Sequence, residues 1–492
     1  MTSSAPKLIR RNMSLTCCGE PIQREQLFEY TNGRFLVNEK HEMSKRYAKF
    51  DLDALCSLVS SLPSVSSPIS KVEKMEGGFN KTLLMTAENR KGVLAKMPCP
   101  AVVPSRYSTA SEVATFEYVK SLTSMPVPEV LTWSCDALNP VGNEYIVMEK
   151  AKGRQLVEVW AYPNLVRLES QLASVKFPGY ENLYLRRSVQ HISRVIPIDD
   201  VYCIGPFYNA SWFPQFDNKN DAGPWENLCD LGLALANRGL RHVQHSTLVP
   251  RGAHYGSKDE LIQILESASK IIPMLAGYTP LQRFSNPTLW HDDLHLGNIF
   301  VCDEDPTKIL SIIDWQFMSI MPAFMQVQWP SFLCPPDDYK IGMVKPELPP
   351  NFDEMDSDEK AFAITERDQA LLTKCYEAAL AKNHLQSYLA LTRVDPAIRH
   401  LFTFCETTSK NGIIPPRDSL VQISENWRQM DFPHSCPYQL LHSDDDGWVP
   451  PQLDFEKVKA RHDELFQLYI QKETEELPEE EARKLWFYID RE

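Results

Sequence analysis

The chain has 492 residues, 43% hydrophobic and 24% charged, which is ordinary for a globular protein and enough to build a core without cross-links. Its 51 Lys and Arg against 65 Asp and Glu leave a formal charge of −14, so the chain as a whole repels nucleic acid and anionic membrane surfaces. The 12 cysteines fall into no Cys-x-x-Cys or Cys/His spacing that would build a zinc site and read as reduced intracellular thiols, and no run of about 18 apolar residues offers a membrane span.

Residues 1–19, MTSSAPKLIRRNMSLTCCG, carry Lys7, Arg10 and Arg11 with no Asp or Glu, the composition of a mitochondrial transit peptide; a terminus that is basic by chance would look the same. Residues 20–68 form an N-terminal extension. Within it, Asp51 to Leu62 has helical apolar spacing with Asp51 as N-cap, and the Pro/Ser-rich SLPSVSSPIS is a connector. Residues 69–150 are expected to be a small β-rich lobe, with two strand-like runs joined by a turn at Glu88 to Gly92. Between its first two candidate strands lie Gly77, Gly78, Phe79 and Asn80, where missing Cβ atoms would let backbone N–H groups approach a triphosphate.

Lys96 ends the apolar run VLAK, where a strand lysine can reach nucleotide phosphates. Sixteen residues on, Glu112 sits in an expected amphipathic helix with Val113, Phe116, Val119 and Leu122 as its apolar positions, and is placed to hold Lys96; Glu117 on the same helix is a competing candidate. The strand-like EYIVMEKAKG then runs into a turn, where backbone groups near Glu149 and Ala151 would meet adenine.

Residues 151–340 are expected to form a larger lobe, mostly helical from Gln155 to Pro287, with ENLCDLGLALANRGL and KDELIQILESASKIIPMLAGY as its clearest helices, each with a Gly at or beyond its end. Trp212, Trp225, Arg251 and His254 are candidates to line an acceptor site there. The sequon Asn209-Ala210-Ser211 is read as silent. The core of the lobe is LWHDDLHLGNIFVCDEDPTKILSIIDWQ, with His291-x-Asp293, Asn298 and Asp314 in order. Asp293 is spaced to accept a hydroxyl proton. Asn298 and Asp314 offer oxygen ligands to Mg²⁺ around a hairpin of Ile299–Val301 and Ile309–Ile313, with Gly297 allowing the tight loop. Residues 341–492 are read as Pro-rich segments, helices at Asp358 to Ala381 and Phe455 to Leu477, a solvated turn at His442 to Trp448, and an acidic tail.

LWHDDLHLGNIFV followed by IIDWQ resembles the signature of the aminoglycoside phosphotransferase superfamily. FEYTNGRFLVNE, EGGFNKTLLM, VLAKMP, ASEVATFEYVK and NPVGNEYIVMEKAKG resemble a fungal group named for altered inheritance of mitochondria, protein nine. The resemblance implies an α+β, two-lobed protein-kinase-like fold. It also implies that Asp293 is the catalytic base, Asn298 and Asp314 the Mg²⁺ ligands, and Lys96 with Glu112 the phosphate-positioning pair. His295 stands where protein kinases carry Lys, and Trp315-Gln316 where they carry Phe-Gly, which argues against a flipping activation segment. The expected function is ATP- and Mg²⁺-dependent transfer of a phosphoryl group to a hydroxyl of a small molecule, in mitochondria or else the cytoplasm. The alternative is a kinase-fold binding or scaffold protein without catalysis.

Overall fold

The computed structural model describes residues 13–158, 165–208, 222–245, 256–438 and 455–474, with residues 478, 479 and 483. Trp212, Arg251, His254, the sequon at Asn209, the turn at His442 to Trp448 and most of the acidic tail lie outside the described residues. By packing, the chain forms two compact units, Met1–Leu228 with Arg283–Arg393, and Cys229–Gln282 with Val394–Glu492.

The first unit opens with strands β1 (Ser14–Cys17) and β2 (Glu20–Pro21), helices α1 (Glu39–Lys45) and α2 (Leu52–Ser61), and strands β3 (Ile69–Glu76), β4 (Asn80–Ala87) and β5 (Gly92–Pro98). Helix α3 (Tyr107–Leu122) and strands β6 (Val130–Ser134) and β7 (Tyr145–Glu149) complete a seven-stranded sheet of order β2-β1-β3-β4-β5-β7-β6. All its pairings are antiparallel except β1 with β3. Alternation explains the strands: Leu83, Met85 and Ala87 of β4, with Val93, Ala95 and Met97 of β5, turn to one buried face.

That face is covered by the extension. Asp51 caps α2 by accepting the Ala54 N–H at 2.9 Å, and Leu52, Leu55 and Val59 pack onto Val72, Leu83 and Val147. Leu27, Phe28, Phe50, Leu52, Leu55, Val59 and Val65 of the extension therefore share this lobe's core. Within the expected leader, Ser14–Cys17 pairs along β3, with Thr16 buried; residues 1–12 lie outside the described residues.

Helix α3 was expected to be amphipathic, but it is buried nearly all round, with Ser108 to Phe116 all inside and Leu122 exposed at its end. Val113, Phe116 and Val119 join a core with Ile146, Leu289, Ile299, Val301 and Ile312, so this helix ties the sheet to the catalytic segment.

The chain then forms β8 (Arg154–Gln155) and α4 (Leu165–Ser174). The stretch that follows departs from the helical expectation. Strands β9 (Asn182–Leu185), β10 (Ile196–Pro197) and β11 (Tyr202–Gly205) make a small sheet of order β10-β11-β9. Their apolar runs are only two to four residues long, too short to reveal a period.

After β12 (Pro287–Leu289), strands β13 (Ile299–Val301) and β14 (Ile309–Ile312) form the expected hairpin, with β8 added along β13, and β15 (Ile320–Pro322) pairs with β12. Gly153, beside β8, has φ +85°, and a Cβ there would lie 2.1 Å from the Val301 carbonyl oxygen. Gly153→Ala is expected to lower unfolding stability by about 2 kcal/mol or more, read as a fall in urea midpoint at unchanged slope; an unchanged midpoint would mean that β8 does not hold β13.

The second unit is helical: Leu228–His245, Lys258–Gly277, Pro396–Asn411, Ile414–Asn426 and Phe455–Glu473. Ser257 and Glu260 cap the second of these reciprocally. Gly239 does not end its helix, as its position had implied. A Cβ there would sit 2.1 Å from the Cys405 carbonyl oxygen, so the glycine permits close helix packing.

Candidate active site

The catalytic segment is held from both sides by buried aromatics. His291 Nε2 donates to the Ile313 carbonyl at 2.9 Å, and its ring meets Trp315 edge-on at 4.7 Å between centroids. Trp315 is fully buried and donates from Nε1 to the Ile312 carbonyl at 3.1 Å. Burial pushes the His291 pKa down, so the ring is neutral, with its proton on Nε2.

Asp293 and Asn298 are brought together as expected. Asn298 Nδ2 donates to the Asp293 carbonyl at 2.8 Å and lies 3.4 Å from Asp293 Oδ2, while the Asn298 carbonyl receives the Ile313 N–H at 3.0 Å. Gly297 lies in the tight loop as expected, within the turn closed by the Asn298 N–H donating to the His295 carbonyl at 2.9 Å. A Cβ there would lie 2.8 Å from the His295 ring, whose Nδ1 accepts the Gly297 N–H at 3.0 Å, so the glycine makes room for that ring.

Lys96 is the junction of the site. Its Nζ donates to Glu112 Oε1 at 2.7 Å and to Asp314 Oδ1 at 2.9 Å. Burial alone would lower the lysine pKa, but the charges of Asp314 and Glu112 outweigh it and raise the pKa. Lys96 in turn holds Asp314 below the ordinary carboxylate range, whereas burial raises Glu112 and the lysine offsets part of that rise. Asp314 has φ 63°, a left-handed conformation that Asp and Asn tolerate better than other side chains. Glu117 takes no part in this cluster.

The residues around the glycine pair divide in their roles. At Gly77 and Gly78 an added Cβ would meet no atom within 4 Å, so the loop borders open space. Phe79 stacks edge-on against Phe317 at 5.2 Å. Asn80 does not face that space. It is buried, with Nδ2 donating to Gln316 Oε1 at 2.7 Å, and Gln316 Nε2 donates to Ser108 Oγ at 2.9 Å. The next N–H, that of Phe317, donates to the Tyr208 hydroxyl at 3.2 Å. Gln316 and Tyr208 are thus positioning residues that sequence reading missed.

Glu149 pairs with Val93, three residues along β5 from Lys96, about 10 Å at strand rise. Its N–H already donates to the Glu129 carbonyl at 2.9 Å, and Ala151 follows it in a buried position.

The donor set suits a hard divalent cation shared with phosphates. Asp314 Oδ2 and Asn298 Oδ1 accept from no group among the described residues, and both are oxygens. No cluster of three or more His, Cys, Asp or Glu among the described residues forms a complete metal cage.

Beside Asp293 opens a cavity of about 240 Å³, lined by Glu169, Trp290, His291, Asp292, Trp329 and Ser331 among others. Glu169 was read only as part of a helical region. Its Oε2 accepts from the Tyr376 hydroxyl at 2.9 Å, and its buried Oε1 has no partner. Burial pushes its pKa up to about 8. Asp292 is open to the cavity's water, yet the surrounding protein and the charge of Asp293 raise it to about 7. His291 Nδ1 is likewise buried without a partner, and no Lys or Arg among the described residues lines the cavity. Trp225 is not among the lining residues. It is buried against Gly179 and Gly223, with the Arg194 guanidinium 4.7 Å over its ring.

Residues 233–327 match the model of the phosphotransferase enzyme family, a span that includes Asp293, Asn298 and Asp314. A subtelomeric hrmA-associated cluster protein of Aspergillus fumigatus is 31% identical over 58% of this chain, and the chain spans 64% of that relative's length. Altered inheritance of mitochondria protein 9, mitochondrial, of Kluyveromyces lactis is 23% identical over 90% of this chain and 85% of its own. Among solved structures, Plasmodium vivax ethanolamine kinase aligns over 85% of this chain and 100% of its own, at 12% identity and a TM-score of 0.36. The chain is thus similar over residues 233–327 to the phosphotransferase enzyme family, and over most of its length to altered inheritance of mitochondria protein 9.

Proposed function

We propose that this protein is an ATP- and Mg²⁺-dependent phosphotransferase acting on a hydroxyl of a small molecule. The observation that carries the reading is the Lys96 ammonium held between Glu112 and Asp314, with Asp293 and Asn298 joined on the neighbouring loop. In that arrangement Lys96 would meet phosphate oxygens, and Asn298 and Asp314 would hold the metal by their free oxygens. Bound Mg²⁺ would neutralise charge that develops on the transferring phosphoryl group. Asp293 orients the acceptor hydroxyl and takes its proton. The acceptor reading rests on the cavity beside Asp293. Its carboxyls suit a compound that brings a positive charge or several hydrogen-bond donors, and its tryptophans suit an apolar body. The names of the relatives and the basic N-terminal residues support a mitochondrial location, to be tested by fractionation.

The test is thermal unfolding with and without MgATP. At 100 times its dissociation constant a ligand adds about 2.7 kcal/mol, a rise of several degrees for a chain of this size. The wild type is expected to show that rise only with Mg²⁺ present, and Asp314→Asn to lose it. A wild type without any rise would turn the reading to a scaffold protein.

A further inference from the structure

The N-terminal extension does more than cover the sheet, because its polar residues converge on the loop that carries Gly77 and Gly78. Arg46 Nε donates to the Gly78 carbonyl at 3.0 Å. The same guanidinium is held from behind, with Nη1 donating to the Glu42 carbonyl and to Glu42 Oε2, each at 2.9 Å. Its plane lies over the Phe35 ring at 4.5 Å and the Tyr30 ring at 5.6 Å.

The start of the loop is fixed as well. Asn32 Nδ2 donates to the Glu76 carbonyl at 2.7 Å, and the Thr31 N–H and hydroxyl donate to Glu76 Oε2 at 2.7 and 3.1 Å. The Glu76 carboxylate is itself buried between Lys74 and Lys81.

Two adjacent glycines leave a loop free to adopt many conformations, and on the Gly78 side no Cβ resists rotation of the peptide between Gly78 and Phe79. In a trans peptide the C=O and the N–H point in opposite directions. A guanidinium that grips the Gly78 carbonyl therefore turns the Phe79 N–H away from the extension. Among the described residues, neither the Gly78 N–H nor the Phe79 N–H donates to any group, so both are available to an anion.

We propose that Arg46 is a positioning residue for the nucleotide: by gripping the Gly78 carbonyl it fixes the Gly78–Phe79 peptide with its N–H toward the triphosphate. The inference rests on the nucleotide site proposed above. It adds that the loop is held from outside the sheet, by a segment that precedes strand β3 in sequence.

The test uses the full-length protein and compares MgATP, by calorimetry, with adenosine, by ligand-observed NMR, since adenosine has no phosphates for the loop to meet. Arg46→Ala is expected to weaken MgATP about 10- to 100-fold and to leave adenosine unchanged. Arg46→Lys should recover part of the loss, because an ammonium can donate to the Gly78 carbonyl but cannot also be held by Glu42 as a planar fork. Asn32→Ala alters an exposed side chain that the fold does not need, and should weaken MgATP selectively by a few-fold. Equal loss of both ligands in Arg46→Ala and Asn32→Ala would reduce Arg46 to a structural bracket and overturn the proposal, as would undiminished MgATP binding by a folded Arg46→Ala. A wild type that binds adenosine but gains nothing from the triphosphate and Mg²⁺ would instead overturn the phosphotransferase reading, and this inference with it.

Discussion

Asp293→Ala will slow phosphoryl transfer by about 10²- to 10⁴-fold, or roughly 3 to 5 kcal/mol in barrier, while MgATP binding and the unfolding midpoint stay near those of the wild type. The asymmetry follows from its surroundings. The Asp293 side chain is 62% exposed, and among the described residues its polar side-chain neighbours are Asn298 Nδ2 at 3.4 Å and His295 Nε2 at 3.9 Å, so its removal leaves no buried group stranded. The backbone of the loop is held by the Asp293 carbonyl, which alanine retains. Turnover can be read as ATP consumption in the presence of candidate hydroxyl compounds that carry a positive charge. A folded variant that turns over at the wild-type rate would remove Asp293 from the chemistry.

The second large effect is on stability against pH. Glu169 sits 2% exposed, with a pKa raised from 4.5 to about 8 by burial. In the folded chain the carboxyl keeps its proton over a range in which the unfolded chain releases it. The stabilisation is therefore fully present below about pH 4.5, is lost as pH rises toward 8, and changes no further above that. The total is on the order of a few kcal/mol. Glu169→Gln cannot titrate, so the difference in unfolding free energy between wild type and variant should slope across pH 5 to 8 against the wild type. Asp292 contributes in the same direction in both proteins and cancels in that difference. A difference that stays flat over this range would show that Glu169 is ionised in the folded state.

The parts of the site that lie close in sequence were legible there. Asp293 and Asn298 are five residues apart and Asp314 follows one hairpin later, so a single motif contained their geometry. Lys96 and Glu112 were legible because a strand and the helix after it can meet only in a few ways. The misreadings involve partners distant in sequence. Asn80 looked like a phosphate-facing loop residue because its partner Gln316 lies 236 positions away. Glu169 was read only within a helical region because Tyr376 lies 207 positions away and the cavity wall is assembled from three separate segments. The small sheet of β9, β10 and β11 was hidden by strands too short to show alternation. The extension seemed a separate appendage because nothing local reveals that Leu52, Leu55 and Val59 share a core with β4 and β7.

The segment that follows Asp314 is clasped at every step. Asp314 is joined to Lys96, Trp315 is sealed in the core, Gln316 is bonded to Asn80 and Ser108, and Phe317 is bonded through its backbone to Tyr208. In time-course terms, the phosphotransferase proposed above would have no dormant form to awaken. Product should accumulate linearly from the first turnover, without a lag, and output in the cell would follow the supply of acceptor and the amount of protein made rather than a covalent on-switch.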